Sequence, residues 1–315
     1  MLKARKVLIS AIALSLLATT GIQTSNAAPK NLSRAVAQPD WLEQNIDNPK
    51  VRIVEVSTEP GIYERGHIKN AAKIVWHTDL VDTVNRDIAS AKNFQKLAQK
   101  LGINQDTTVV LYGDKNNWFA AWGAWLFNIY GAKDVRILDG GRVKWEKDGR
   151  ALTTAVPTFK QGNFTTRVAD KSLRASLLQD VLPVAKKRVK ADLIDIRSAD
   201  EYSGKIFAPA GFQELAVRAG HIPGAINVPW GQNVNADGTF KTVAELKKLY
   251  ADKGVDGKQN IITYCRIGER SSLTWFVLSE ILGYNVKNYD GSWTEYGNTV
   301  GVPIENPAGT VWGNS

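Results

Sequence analysis

The segment YCRIGERSS at residues 264–272 contains Cys265, the only cysteine in a chain of 315 residues. Residues 260–264 form an apolar run with the composition of a β-strand, and an apolar segment of helical length, 273–282, follows the loop. The pattern therefore predicts that Cys265 lies in a strand-to-helix loop, at a helix N-terminus and beside two arginines.

This position favours a reactive thiol. The N-terminus of a helix has unpaired backbone N–H groups and the positive end of the helix dipole. Both lower the pKa of a nearby thiol and stabilise an adjacent anion. We interpret Cys265 as a nucleophile with a lowered pKa. The alternative is a buried core cysteine, which is common for a free cysteine.

The composition is that of a folded protein with room for two domains. The chain has 40 Lys and Arg against 31 Asp and Glu, a net charge of +9. These charges are spread along the chain without a basic block, so we expect a surface that tolerates small anions and no nucleic-acid partner. Three scattered histidines and one cysteine do not make a zinc site, and we expect no metal.

Residues 1–27 have the pattern of a signal peptide. A basic start with Lys3, Arg5 and Lys6 precedes the apolar stretch 7–17, and small residues lead to a cleavage site before Ala28. The apolar stretch is short for a membrane anchor. We therefore expect a protein that is exported to the periplasm or secreted, with no membrane segment after cleavage.

The rest of the chain contains one module twice. Three pairs of landmarks keep nearly constant offsets: His67 and His221 are 154 residues apart, Tyr112 and Tyr264 152, and Asp139 and Asp290 151. A repeat of this length indicates a duplicated domain. We predict an N-terminal domain at 28–150, a linker at 151–175 without periodicity, and a C-terminal domain at 176–315.

Each module alternates strand-like and helix-like segments, which predicts an α/β fold with a mostly parallel sheet flanked by helices. Ligands of such sheets bind beyond the carboxyl ends of the strands, where Cys265 is expected. The predicted strands are 51–56, 73–76, 107–112, 135–138, 192–196, 226–228, 260–264 and 286–291. The predicted helices are 93–101, 118–129, 242–252 and a helix from Ser271.

Four ordered motifs together resemble a tandem-domain rhodanese, a thiosulfate sulfurtransferase of the bacterial type. They are Asp195-Ile196-Arg197 with Glu201-Tyr202, the turn 220–225, the loop 265–270, and Tyr289-Asp290-Gly291-Ser292-Trp293. The resemblance implies that the C-terminal domain is catalytic and the N-terminal one is not. The repeat agrees, because Cys265 aligns with Gly113 or Asp114 and Arg197 aligns with Ser57.

The resemblance implies persulfide chemistry without a cofactor. The Cys265 thiolate attacks the outer sulfur of thiosulfate, sulfite leaves, and cyanide or a thiol acceptor later removes the bound sulfur. The expected sulfur-binding loop consists of the backbone N–H groups of Arg266, Ile267, Gly268, Glu269, Arg270 and Ser271.

Three arginines are predicted to bind the dianionic substrate: Arg197, Arg266 and Arg270. Each has an ordinary structural alternative. Arg266 is otherwise a solvated loop charge, Arg270 pairs with Glu201 or Glu269, and Arg197 pairs with Asp195 or Asp200.

Other side chains are interpreted as structural. His221 and Asp290 recur in the module without a cysteine, as His67 and Asp139, so we assign them to turns. The tryptophans at 118, 122 and 125 have helical spacing and are assigned to the core or a domain interface. Trp230 and Trp293 are candidates for lining a pocket.

Other functions stay open at this point. A cysteine phosphatase loop needs arginine at position 271, which is Ser271. A 3-mercaptopyruvate sulfurtransferase is expected to have small residues after the cysteine, where this chain has Arg266. A sulfur carrier without turnover of its own is the non-enzymatic alternative. For oligomeric state we favour a monomer.

Overall fold

The computed structural model describes residues 33–212 and 215–312. The predicted signal peptide, residues 1–27, lies outside the described residues. Within them, no helix has both the length and the apolar character needed to span a membrane.

Eleven strands and ten α-helices are defined in the described residues. The strands are β1 (Val36–Ala37), β2 (Val51–Glu55), β3 (Ala72–Lys73), β4 (Val81–Asp82), β5 (Asp87–Ile88), β6 (Thr108–Tyr112), β7 (Asp134–Leu138), β8 (Asp192–Asp195), β9 (Ile226–Asn227), β10 (Ile261–Tyr264) and β11 (Val286–Asn288). The helices are α1 (Pro39–Gln44), α2 (Ile62–Arg65), α3 (Ala91–Lys100), α4 (Trp118–Ile129), α5 (Gly141–Lys147), α6 (Leu182–Ala185), α7 (Ala199–Ser203), α8 (Val243–Ala251), α9 (Glu269–Phe276) and α10 (Ser292–Asn298).

Two parallel sheets confirm the predicted fold class. The first has five strands in the order β1-β7-β6-β2-β3, and the second has four in the order β11-β10-β8-β9. All pairings in both sheets are parallel. The registers match between the modules, because Tyr112 pairs with Glu55 in the first sheet and Tyr264 pairs with Asp195 in the second.

Some elements differ from the sequence-based predictions. The predicted strand 73–76 is shorter, since β3 ends at Lys73 and a π-helical turn occupies Trp76–Leu80. The antiparallel hairpin of β4 and β5 was not predicted. Helix α9 begins at Glu269 rather than Ser271, because Gly268 turns the chain with a φ of 101° directly before it.

The segment 151–175 contains no helix and no strand beyond isolated bridges. It first follows the N-terminal module, where Gly162 N–H donates to Gln99 O at 2.8 Å. It then joins the edge of the second sheet, where Asn288 N–H donates to Leu173 O at 3.0 Å. The predicted linker is therefore hydrogen-bonded to both modules.

The two modules share a packed interface. Helix α4 of the first module lies against α9 of the second. Buried residues of both helices, among them Trp122, Trp125 and Leu273, belong to one apolar cluster. A polar contact adds to it, since Phe240 N–H donates to Asp139 Oδ1 at 2.8 Å. The N-terminus of α9, and with it the cysteine loop, is thus held between the modules.

Candidate active site

Cys265 directly follows β10, at the carboxyl end of a central strand of the second sheet. Its backbone N–H donates to Ser292 Oγ at 3.1 Å, which ties the start of the loop to the N-terminus of α10. Gly268 closes the loop with a φ of 101°, a conformation open mainly to glycine. An added Cβ at Gly268 would lie 2.7 Å from both Trp122 Cζ3 and Asp290 Cα. The loop is therefore tightly confined, in part by the first module.

The sulfur of Cys265 is fully buried and contacts the loop itself. Gly268 N–H donates to Sγ at 3.1 Å, and the thiol donates to Glu269 Oε2 at 3.6 Å. Of the N–H groups expected to surround the sulfur, those of Gly268 and Ser271 favour its thiolate form. The site thus combines N–H donors that stabilise the thiolate with a carboxylate whose negative charge disfavours it.

The balance of these effects raises the pKa of the Cys265 thiol above its ordinary value. Burial is the largest cause, followed by the negative charge of Glu269, while Arg270 and the two N–H groups act in the opposite direction. The lowered pKa predicted from the sequence is wrong. The helix N-terminus and Arg270 do favour the thiolate, but desolvation and the carboxylate of Glu269 outweigh them.

Arg270 lies in the first turn of α9 and forms an ion pair with Glu201. Its Nη2 and Nη1 atoms donate to Glu201 Oε1 at 3.0 Å and Oε2 at 3.2 Å. Glu201 also accepts from Ser198 as part of the capping box of α7. The pairing with Glu201 is the structural alternative that the sequence left open, and it fixes the guanidinium next to the loop.

Arg197 forms a buried ion pair with Asp195. Its guanidinium is buried, donates from Nη2 to Asp195 Oδ2 at 2.6 Å and to Gly220 O at 2.7 Å, and lies over the ring of Trp293. The predicted contact of Arg197 with substrate therefore has no counterpart in this geometry, because strand β8 and the turn at Gly220 hold the guanidinium. Trp293, a pocket candidate, is buried in the same place.

A cavity of about 370 Å³ adjoins the loop. Arg266, Glu269 and Arg270 contribute to it from the loop side. The Arg266 guanidinium carbon lies 5.9 Å from the ring centroid of Phe212, which also lines the cavity. A larger cavity of about 460 Å³ lies along the linker, but no residue from 265 to 270 lines it. We therefore assign the functional site to the smaller cavity.

Two tryptophans form part of the cavity wall. Trp118 comes from the first module and Trp230 from the second, and their rings meet edge to face with centroids 4.8 Å apart. Trp230 was a pocket candidate, whereas Trp118 was assigned only to the core or an interface. The repeat offset that aligns Tyr112 with Tyr264 also aligns Trp118 with Arg270, a signal that could have pointed to it.

The histidines have matching contacts in the two modules. His221 stacks on Tyr202 and its Nδ1 lies 2.7 Å from Tyr202 O. His67 stacks on Tyr63 and its Nδ1 lies 2.9 Å from Tyr63 O. This supports a structural role for His221. In the described part of the chain, no group of three or more His, Cys, Asp or Glu side chains could hold a metal ion.

Comparisons with known proteins agree with this architecture. The model of the rhodanese-like domain matches the chain twice, at residues 38–148 and 180–299. A protein of Mycolicibacterium smegmatis named "Putative thiosulfate sulfurtransferase" is 52% identical over 275 residues, which cover 87% of this chain and 98% of that protein. The "Sulfur carrier protein TtuD" of Thermus thermophilus is 51% identical over 270 residues, covering 84% of this chain and 94% of that protein.

Solved structures show the same fold. The crystal structure of SseA from Escherichia coli, described as a 3-mercaptopyruvate sulfotransferase with the rhodanese fold, aligns with a TM-score of 0.71 and 28% identity. The alignment covers 82% of this chain and 98% of that one. With two matched domains that span most of the chain and close relatives over nearly their full length, the protein belongs to the rhodanese family of sulfurtransferases.

Proposed function

We propose that the protein is a thiosulfate sulfurtransferase that holds the transferred sulfur as a persulfide on Cys265. The observation that carries the proposal is the buried sulfur at the carboxyl end of β10, facing Gly268 N–H at 3.1 Å beside a cavity lined by two arginines. Relatives at about half identity that bear the thiosulfate sulfurtransferase name support the choice of donor.

The reaction has two steps. The Cys265 thiolate attacks the outer sulfur of thiosulfate, the S–S bond breaks, and sulfite leaves with the electron pair. The persulfide anion then accepts hydrogen bonds from the loop N–H groups, which also favour the thiolate. Cyanide or a thiolate attacks the terminal sulfur and returns Cys265 to its thiolate form. Arg266 and Arg270 line the cavity at the loop and are the proposed partners of the sulfonate oxygens.

The test is persulfide loading. Incubation of the purified protein with thiosulfate should add one sulfur atom, found on Cys265 by intact and peptide mass spectrometry, and cyanide should release it as thiocyanate. A Cys265→Ser variant that still produces thiocyanate would contradict the mechanism. Arg266→Ala should raise the KM for thiosulfate, with Arg266→Lys as the matched control that retains the charge.

Two other functions have support in the comparisons. The SseA structure favours 3-mercaptopyruvate as an alternative donor, and TtuD favours a carrier that passes sulfur to a partner. A higher kcat/KM with 3-mercaptopyruvate than with thiosulfate would establish the first. Stoichiometric loading of Cys265 without turnover in cyanide would establish the second. Hydrolysis of an aryl phosphate should be undetectable, because Ser271 stands where a phosphatase loop needs arginine.

The place of action stays a prediction from residues 1–27. We propose export with cleavage before Ala28. Cell fractionation followed by N-terminal sequencing tests this proposal, and an intact Met1 in the cytosolic fraction would contradict it.

A further inference from the structure

The cavity beside the cysteine loop is larger than the donor requires. Thiosulfate has only two sulfur and three oxygen atoms, whereas the cavity holds about 370 Å³. Cavities of roughly 300–1,000 Å³ are typical of sites for organic ligands. The extra volume therefore points to a second reactant that is larger than thiosulfate and larger than cyanide.

The rest of the cavity lining is mainly apolar. Trp118, Trp230 and Phe212 present aromatic surface, and Pro209 and Pro229 add aliphatic surface. A hydrophilic anion gains little against such walls, because they offer few hydrogen bonds in exchange for its hydration. An apolar group gains by leaving water there, and an aromatic ring can stack on the indoles.

The charged groups of the lining contact one another or the cysteine. Arg270 pairs with Glu201, and Glu269 accepts the hydrogen bond of the Cys265 thiol. Arg266 lies near the Phe212 ring. Charged residues of the loop and aromatic surface thus line the same cavity, which suits a molecule with a polar reactive tip and an apolar body.

Trp118 lines the cavity next to Trp230, with ring centroids 4.8 Å apart. Trp118 thereby brings to the site an aromatic surface that belongs to the module without a cysteine.

We propose that this cavity is the sulfur-acceptor site for an organic thiol with an apolar body of about the size of an aromatic ring, and that Trp118 determines this specificity. The proposal rests on the persulfide function proposed above. The acceptor enters as its thiolate RS⁻, having released its proton to the buffer, and attacks the terminal sulfur of the Cys265 persulfide. The bond between the two sulfurs of the persulfide breaks, its electron pair stays on Cys265 as a thiolate, and RSS⁻ leaves. The sulfur moves between two thiolates, so no oxidant or reductant is needed.

The experiment compares two alkyl thiols that differ in their bodies, phenylethanethiol and mercaptoethanol. Protein loaded with thiosulfate and freed of excess donor is mixed with each thiol, and the second-order rate constant for loss of the persulfide is measured. Burying the phenyl group should favour phenylethanethiol by about tenfold, which corresponds to about 1.4 kcal/mol. Equal rate constants for the two thiols, each corrected for its thiolate fraction, would overturn the proposal.

Variants test the role of Trp118. Trp118→Ala should reduce the ratio of the two rate constants toward one, and Trp118→Phe should retain part of it. Trp312→Ala is the matched control, because Trp312 is 73% exposed and does not line the cavity, so it should keep the parental ratio. A parental ratio in Trp118→Ala would overturn the assignment of Trp118.

A binding measurement separates this proposal from the persulfide function. Phenylethanol has the same body without the thiol and should slow the alkylation of Cys265 in the unloaded protein, while ethanol at equal concentration should not. Protection by phenylethanol together with no loading by thiosulfate would leave the cavity assignment standing and refute the donor. Loading and release by cyanide without any protection would support the sulfurtransferase and refute the apolar acceptor site.

Discussion

In both modules a central strand ends in a tyrosine that performs the same structural task. The hydroxyl oxygens of Tyr112 and Tyr264 each accept a hydrogen bond from the turn that follows the repeated histidine. The donor is Ile68 N–H at 2.9 Å in the first module and Ile222 N–H at 3.2 Å in the second. The next residue separates the modules. It is Gly113 in the first and Cys265 in the second.

The surroundings of this position also differ between the two modules. An added Cβ at Gly113 would lie 2.2 Å from Val56 O, so the first module has no space for a side chain there. Asn117, which aligns with Glu269, accepts from Gly113 N–H at 3.0 Å and donates to Leu138 O at 2.9 Å. The first module thus has a closed, hydrogen-bonded turn where the second has the cysteine loop, and it contributes Trp118 and Trp122 to the surroundings of that loop.

A buried arginine is common to both modules, although it comes from different elements. Arg142 of α5 pairs with Glu55 and donates to Gly66 O, and Arg197 pairs with Asp195 and donates to Gly220 O. Since the first module has no cysteine, this shared bridge is part of the scaffold. The comparison favours a structural role for Arg197 over the substrate contact that the sequence suggested.

The largest effect is expected from moving the nucleophile. A double variant with Cys265→Ser and Gly113→Cys should show no sulfur loading and no thiocyanate production, because the first module has neither the space nor the flanking arginines. Forcing a side chain against Val56 O should also lower the free energy of unfolding by about 1–3 kcal/mol. Activity assays and urea unfolding provide the measurements.

The single variant Gly113→Cys is the control. It should keep loading at Cys265 and show the same loss of stability as the double variant. Thiocyanate production by the double variant would contradict this expectation, because it would mean that the first module supports the chemistry.

After this complete loss of activity, the buried arginines give the largest expected effect on stability. Arg197→Met and Arg142→Met each leave a buried carboxylate without its partner, so each should lower the free energy of unfolding by about 3–5 kcal/mol. Urea unfolding of both variants, followed by tryptophan fluorescence, measures the two losses side by side. If Arg197→Met were nearly as stable as the parent and yet unable to load sulfur, Arg197 would be a substrate ligand, and the parallel with Arg142 would fail.

Much of this fold can be predicted from the sequence, because its main strands and helices carry strong apolar patterns. The strands ending at Tyr112, Asp195 and Tyr264 were placed within one residue of their observed ends. Two-residue strands such as β1 and β4 were missed, since so few residues show no periodicity. The duplication was visible because the turn residues, which depend on local backbone geometry, recur at nearly fixed spacing.

Less of the candidate site than of the fold can be predicted from the sequence. The position of Cys265 follows from local pattern, but the partners of the arginines do not, since Glu201 and Arg270 are 69 residues apart and meet only in the folded chain. The raised pKa of Cys265 was missed for the same kind of reason, because burial depends on packing between the modules. Trp118 was overlooked because an aromatic stripe at helical spacing is usually core.

A smaller effect is expected at the turn before α9. Gly268→Ala places a Cβ at a φ of 101° and against Trp122 and Asp290, which should lower the free energy of unfolding by about 1–3 kcal/mol. Loading with thiosulfate should slow as well, because Gly268 N–H would move relative to the sulfur. Rapid-quench mass spectrometry of persulfide formation measures this rate.

Asn116, which aligns with Gly268, provides the matched control in the first module. It has a φ of 54°, in the left-handed region where asparagine is tolerated. Asn116→Ala should cost about 1–2 kcal/mol and leave loading unchanged. Normal loading in Gly268→Ala would show that the interface with Trp122 does not position the loop.

The most local effect concerns Glu269, whose neutral counterpart Asn117 belongs to the turn without a cysteine. The charge of Glu269 is the second cause, after burial, of the raised pKa of Cys265. Glu269→Gln should therefore lower the pKa of the thiol, although burial keeps opposing the thiolate. The midpoint of alkylation by iodoacetamide should move to lower pH, with faster alkylation at any fixed pH below the parental midpoint.

The same variant also tests how the charge of Glu269 affects the pH dependence of stability. Because the folded thiol has a raised pKa, its contribution to stability is present at low pH and is lost as pH rises through the folded pKa. With the pKa lowered in Glu269→Gln, this loss should end at a lower pH than in the parent, as urea unfolding across the alkaline range would show. Glu280→Gln, a carboxylate change farther along the same helical segment and outside the cavity, should leave the alkylation midpoint in place. An unchanged or raised alkylation midpoint in Glu269→Gln would mean that the charge of Glu269 does not raise the pKa of Cys265. The charge difference between Glu269 and Asn117 would then have no effect on the thiol.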